Sequence, residues 1–224
     1  MQIDPYLVLV YIHIVLFVYW LGGDLGVFVT SKYVANRNLP IDERFRFMAA
    51  LMACDMGPRT ALILILPVGL EMARIKGFIE ISPAIGGIVW LFCFAWLGLN
   101  WWLFLNGQHP KVPMLRDFDL KLRFVLIPVI AALAVYSIAT GGPVIAAWLQ
   151  VKLLVFAVVV SLGVYLRSEI KNWVAGFGLV RQGGDAAAKG NDIIEQSLAR
   201  SRVAAALLWA GVALAAFLGK TQPF

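Results

Sequence analysis

The sequence predicts an all-α bundle of six membrane-crossing helices. Three observations predict it: an apolar composition, apolar runs of bilayer length, and basic residues gathered in alternate connections. Of 224 residues, 61% are hydrophobic and 14% charged, with a mean hydropathy of +0.83, too apolar for a water-soluble domain. One membrane domain, residues 1–224, accounts for the chain, and its expected surroundings are the lipid bilayer. The net charge of +6 does not indicate a nucleic-acid partner, because Lys and Arg are spread over the connections rather than collected on one face. Cys54 and Cys93 lie far apart and outside any CxxC or CxxCH pattern. A disulfide framework, a zinc site and a covalent c-type haem attachment are therefore not indicated.

Span one runs from about Tyr6 to Thr30, some 25 residues where about 20 suffice to cross the hydrocarbon. The preceding MQIDPY has no basic residue, unlike the start of a signal peptide, so span one is expected to be retained. The following connection is too polar to span, and its Asp42–Cys54 part, with Phe45, Phe47, Met48, Leu51 and Met52 beside Arg44 and Arg46, predicts a short interfacial helix. Span two is expected from Arg59 to about Ile75, opened by Pro58 as a first-turn proline and kinked at Pro67. Span three covers about Pro83–Asn106, and span four about Leu122–Thr140 with Pro128 inside. The Gly141-Gly142-Pro143 turn leads to span five, about Ala146–Leu166. After a polar segment with Gly183-Gly184 as its loop tip comes span six, about Val203–Leu218. This last span is expected to extend a helix that starts earlier, with Asp192 and Glu195 as a capping box. Spans two and three weakly echo spans four and five: each pair has a proline-kinked helix, an outer turn and a Trp-bearing helix (Trp90, Trp148).

Placing both termini outside assigns fifteen Lys and Arg residues to the inside, from Lys32, Arg37, Arg44, Arg46 and Arg59 through to Arg200 and Arg202, and leaves Arg74, Lys76 and Lys220 outside. This asymmetry follows the positive-inside rule.

Ionisable groups inside such spans are functional candidates. His13 and Lys152 each fall about 10 Å below the outer surface, in a layer shared with Glu71, while Asp24, Arg59, Asn100 and Asp55 form a layer near the inner face. Eleven residues separate His13 from Asp24, which places them within about 20° of one another around the helix, with Phe17 and Trp20 between. Structural readings stand beside these. His13 can be hydrogen-bonded to a neighbouring helix, Asp24 can pair with Arg59, and Glu71 can neutralise Lys152. Gly22 and Gly26 form a small-xxx-small packing pair. Trp96, Trp101 and Trp102 are read as core or interface aromatics dense enough to suggest a ring-shaped ligand, and His109 as solvated.

The segment IHIVLFVYWLGGDLGVF, with His13, Trp20, Gly22 and Gly23, resembles the first span of HemJ-type protoporphyrinogen oxidases and of the related copper-resistance D and urate-oxidase membrane-domain groups. A second segment, in which Trp148, Leu149, Lys152 and Leu153 match W-L-x-x-K-L, resembles the same proteins. Gln150 stands where many relatives carry His. The resemblance implies a helical bundle holding haem b or a related porphyrin, with His13 as the iron ligand and Trp20, Trp148 and Lys152 around the cofactor. His13 and His109 are the two histidines of the chain. They fall in different layers, so a bis-His haem within one chain is excluded, which leaves a weaker second ligand, an open position or a His from another copy.

Three functions are therefore expected. The first is a bacterial inner-membrane protein of redox chemistry or electron transfer, with haem near His13 and with Asp24, Glu71 and Lys152 as its proton-handling or catalytic candidates. The second is a proton, ion or metal transporter using the intramembrane His, Asp and Glu residues. The third is a non-catalytic subunit of a larger complex. Electron-transfer or complex partners, and a homo-oligomer, fit one or another of these.

Overall fold

A computed structural model describes residues 4–224. They form six α-helices: α1 (Pro5–Val34), α2 (Ile41–Ile75), α3 (Pro83–Leu105), α4 (Val112–Thr140), α5 (Ala147–Val180) and α6 (Gly184–Thr221). All six are long and apolar enough to cross a bilayer, and the chain is a multi-pass membrane protein. Large apolar side chains such as Leu7, Tyr11, Leu91, Leu105, Val125 and Val203 project outward. On a water-soluble protein such a surface would be a liability; here it meets lipid.

Local chemistry sets the helix ends. The Asp4 carboxylate accepts from the Tyr6 N–H at 2.9 Å, and Ser82 Oγ accepts from the Ile85 N–H at 3.3 Å. Each cap precedes a proline in the first helical turn, where the missing N–H is harmless. Gly141 closes α4 at φ 68°, and Gly183 and Gly184, at φ 77° and 53°, make the turn between α5 and α6. A side chain would be strained at these angles.

Each helix packs on the next in sequence, and α6 meets α1 along a thin seam that closes the ring. Neighbours run antiparallel. His13 lies against Gly69, Gly23 against Pro58, and Gly26 against Cys54, so contacts advance along α1 as they retreat along α2. The two outer turns expected to echo one another meet: the Glu80 N–H donates to the Pro143 carbonyl at 2.7 Å and the Ile145 N–H to the Phe78 carbonyl at 2.9 Å.

Four findings differ from the sequence expectations. First, α2 is continuous from Ile41, through Pro58 and Pro67, so Asp42–Cys54 is part of span two's helix rather than a separate interfacial one. A proline inside a long helix costs a hydrogen bond and bends the axis without ending it when packing supports both sides. Second, Asp192 and Glu195 lie inside α6 rather than capping it, and both bind Arg37. Third, α4 begins at Val112, well before Leu122. Fourth, the glycines that admit the neighbouring helix are Gly23 and Gly26. A Cβ at Gly26 would meet Cys54 Sγ at 2.9 Å and one at Gly23 would collide with the Pro58 ring, whereas one at Gly22 would meet nothing within 4 Å.

Helices α2, α5 and α6 have 35, 34 and 38 residues, about 50–57 Å at about 1.5 Å per residue, against a hydrocarbon core of about 30 Å. Their surplus, joined by the end of α1, builds a cap at the basic end around Val34, Leu51, Trp173, Phe177 and Ile194. Arg44, 1% exposed, pins it. Its Nε donates to the Val34 carbonyl at 2.8 Å, its Nη1 donates to Asn191 Oδ1 at 2.8 Å, and its guanidinium lies 4.8 Å from the Phe177 ring centre. On the cap's surface, Glu195 and then Asp192 hydrogen-bond Arg37 and hold its guanidinium above the usual arginine range.

Two outcomes follow for thermal unfolding in detergent or nanodiscs. Gly23→Leu is expected to cost about 1–3 kcal/mol through overpacking and to lower the melting temperature, while Gly22→Leu leaves it near that of the parent. Arg44→Met is expected to destabilise by about 1.5–3 kcal/mol, the range for hydrogen bonds to a charged group, and to raise protease sensitivity at the cap first.

Candidate functional site

Two groups of polar side chains lie inside the ring. Toward the termini, His13 sits between α1 and α2, its Cε1 3.2 Å from where a Cβ on Gly69 would be. His13 Nδ1 is buried without a hydrogen-bond partner, so the expected tie to a neighbouring helix is not made through that nitrogen. Lys152 Nζ rests against Gly219 of α6. Glu71 does not neutralise Lys152. It accepts from Arg74 Nε at 3.0 Å and Nη2 at 2.5 Å, because a partner one helical turn away on the same face is met without any rearrangement. Trp148 is buried and packs edge-on against Phe78, 5.3 Å between ring centres. Gln150 donates from Nε2 to the Val144 carbonyl at 2.7 Å and serves the turn before α5.

Toward the basic end the ring encloses a cavity of about 160 Å³ walled by α1, α2, α4, α5 and α6. Trp20 and Asp24 enter it from α1, about 10 Å and about 16 Å along the axis from His13 at the helical rise. Four arginines (Arg59, Arg123, Arg167, Arg202) and three carboxylates (Asp24, Asp55, Glu169) share the wall with Trp173 and Trp209.

Most of these charges are matched. Arg59 pairs with Asp55 one turn earlier on α2, rather than with Asp24 as expected. Asp119, 1% exposed, serves both Arg123, at 3.4 Å, and Arg167, and accepts from Trp96 Nε1 at 2.7 Å and Asn100 Nδ2 at 3.2 Å. Trp96 is thus a strut between α3 and α4. Trp101 donates to Thr60 Oγ1 at 3.2 Å, and Trp102 packs edge-on to His109. No ring-shaped ligand is needed to explain the three. Glu169 is satisfied by Ser197 Oγ at 2.6 Å, Asn172 Nδ2 at 2.9 Å and a two-point contact with Arg200.

Four polar atoms on the wall have no partner: Asp24 Oδ2, Arg202 Nε, Trp173 Nε1 and Trp209 Nε1. Among the described residues neither Asp24 nor Arg202 forms an ion pair. Arg202 instead lies 5.2 Å from the Phe28 ring centre, and Phe28 packs on Trp209. The cavity can therefore accept a proton at one place and offer three donors nearby.

Of the residues singled out from sequence, the structure brings Trp20, Asp24, Asp55 and Arg59 to the cavity and leaves His13, Lys152, Glu71 and Trp148 in the other half. Sequence reading missed Asp119, Arg167, Glu169, Arg202, Trp173 and Trp209 as site residues. The available signal was the spacing of Asp119 and Arg123, four residues apart in LRDFDLKLRF, which marks one face of a helix. No cluster of three or more His, Cys, Asp or Glu side chains suited to a metal occurs among the described residues. Comparison of the chain with protein-family models, with curated proteins and with solved structures finds no match.

Proposed function

We propose that this multi-pass protein is a proton-coupled transporter working through the central cavity, with the basic end at the inner face of the membrane and Asp24 as the group that carries the proton. One observation supports this above the rest: a carboxylate oxygen with no hydrogen-bond partner lies on the wall of a cavity between the helices, beside charged side chains that are already matched. Charged groups in a membrane interior are expensive unless they are paired or serve a pathway, and here the neighbouring charges are already matched to others. Asp55 is held by Arg59, which leaves Asp24 free to exchange a proton with the cavity. Movement follows from the packing. The α1–α2 and α5–α6 pairs are each tightly joined, and the seam between α1 and α6 is thin, so the two pairs can rock across the cavity.

In proteoliposomes under an imposed pH gradient, Asp24→Asn is expected to reduce proton flux by about tenfold or more, an added barrier of roughly 1.4 kcal/mol. Flux that Asp24→Asn leaves unchanged would remove the reading.

A second reading follows the resemblance: haem b held by His13. The buried, unpartnered Nδ1 supports it, since an axial ligand needs a free nitrogen. The space does not fit a macrocycle, because the ring lies against Gly69. The central cavity is lined by other residues, and its 160 Å³ falls below the roughly 300–1,000 Å³ of ordinary ligand pockets. A haem would require α1 and α2 to part. Absorption spectra of gently purified protein, oxidised and dithionite-reduced, decide it: the reading expects a Soret band that His13→Ala abolishes, and a colourless folded preparation would sink it.

A further inference from the structure

We infer that the cavity binds a small organic carboxylate with a short apolar body, its anionic end held by Arg202. The inference rests on the transport reading for its purpose but not for its chemistry. The electrostatics come first. On the cavity wall four guanidiniums (Arg59, Arg123, Arg167 and Arg202) face three carboxylates (Asp24, Asp55 and Glu169), with Asp119 behind Arg123 and Arg167, and Arg200 behind Glu169. Asp55 is matched by Arg59 and Glu169 by Arg200, while Asp119 is shared between two arginines. The enclosure therefore carries positive charge in excess, and Arg202 is the arginine without a carboxylate. Arg202 is half-buried, and its Nε is buried with no acceptor, a donor left unsatisfied at a cost. An anion brought to it removes that cost.

Hydrogen bonding points the same way. The unpartnered donors on the wall include Arg202 Nε and the Trp173 indole N–H, while the Trp209 indole lies beside Asp24. Trp173 is 5% exposed. A guanidinium fork and neighbouring N–H donors suit the two oxygens of a carboxylate.

Size and lining fix the rest of the ligand. A volume of about 160 Å³ equals roughly five water molecules at about 30 Å³ each, enough for a short chain or a single ring. Much of the wall is apolar, with Leu51, Leu62, Val159 and Leu208 beside the indoles. A tetrahedral oxyanion such as phosphate needs donors on every side and would leave oxygens against these side chains. An amphipathic monocarboxylate satisfies both halves of the wall. The thin seam between α1 and α6, from which Asp24 and Arg202 respectively project into the cavity, is its route in.

The test is isothermal titration of the full chain in lipid nanodiscs with hexanoate and benzoate, against benzamide and inorganic phosphate, with empty nanodiscs as the baseline. Saturable binding of the carboxylates over benzamide and phosphate is expected. Arg202→Gln should weaken it by about tenfold or more, as removal of one member of a buried charge pair does. Arg202→Lys, which keeps the charge without the fork, should fall between the two. Circular dichroism and a monodisperse elution profile matching the parent's establish that each variant is folded. Absence of carboxylate binding by the folded parent, equal binding of benzamide, tighter binding of phosphate, or a folded Arg202→Gln variant with parental affinity would each overturn the inference. Carboxylate binding without proton flux would keep the site and remove the transport reading. Proton flux without carboxylate binding would keep that reading and remove the site.

Discussion

The bundle depends on one carboxylate. Asp119 lies on α4, accepts from two α3 side chains, pairs with an arginine one turn along its own helix and receives Arg167 from α5. Lipid-facing helices gain little from hydrophobic association, because the solvent is as apolar as their side chains, and they rely on close packing and polar contacts instead. The α3–α4 contact is slight compared with α1–α2 or α5–α6. A nearly fully buried carboxylate with four partners is what ties the loosely packed third of the ring to the rest. Its need for positive partners also draws two arginines to the cavity wall, so the same constraint that holds the helices sets the electrical character of the space they enclose.

Close packing does the corresponding work elsewhere. Gly23 and Gly26 let α2 approach α1. Gly176 and Gly190 bring the backbones of α5 and α6 so near that a Cβ on Gly190 would lie 2.5 Å from the Gly176 carbonyl oxygen. The result is two rigid helix pairs that carry the cap at the basic end, where Arg44 and the Arg37 clasp reach across between them. Rigidity is thus concentrated within pairs and at the cap. The α1–α6 seam beside the cavity is left with few contacts, which is where relative motion costs least.

Six spans were legible because their signal is compositional: long apolar runs bounded by Pro, Gly and charge, and each run became a helix. The continuity of α2 was not, because local reading treats Pro58 as a boundary. Only the Gly23 surface beneath its ring shows that the helix is supported through it. Gly22 and Gly23 could not be told apart for a similar reason. Adjacent residues differ by about 100° around a helix, and the sequence does not say which direction faces α2. The site was half legible. Trp20 and Asp24 stand out as polar or bulky groups in a lipid-soluble run. Arg167, Arg202 and Glu169 do not, because their helices extend beyond the bilayer and each reads as one more charge in a connection.

That last failure bears on how the cavity should be understood. Residues counted as topology signals, fixing orientation by their mere presence near one face, turn out on α4, α5 and α6 to line the cavity between the helices. A topological arginine needs only water and lipid headgroups near it. Arg202 lies against the Phe28 ring with a buried Nε that nothing satisfies, a position that orientation alone does not explain. A chain under no constraint except topology would let such a side chain reach the surface, as long flexible cations do at membrane boundaries. A buried, unsatisfied Nε on the same wall as an Asp24 oxygen that is also without a partner fits a site whose two unmatched members are each kept for something that comes and goes: a proton at Asp24 and an anion at Arg202.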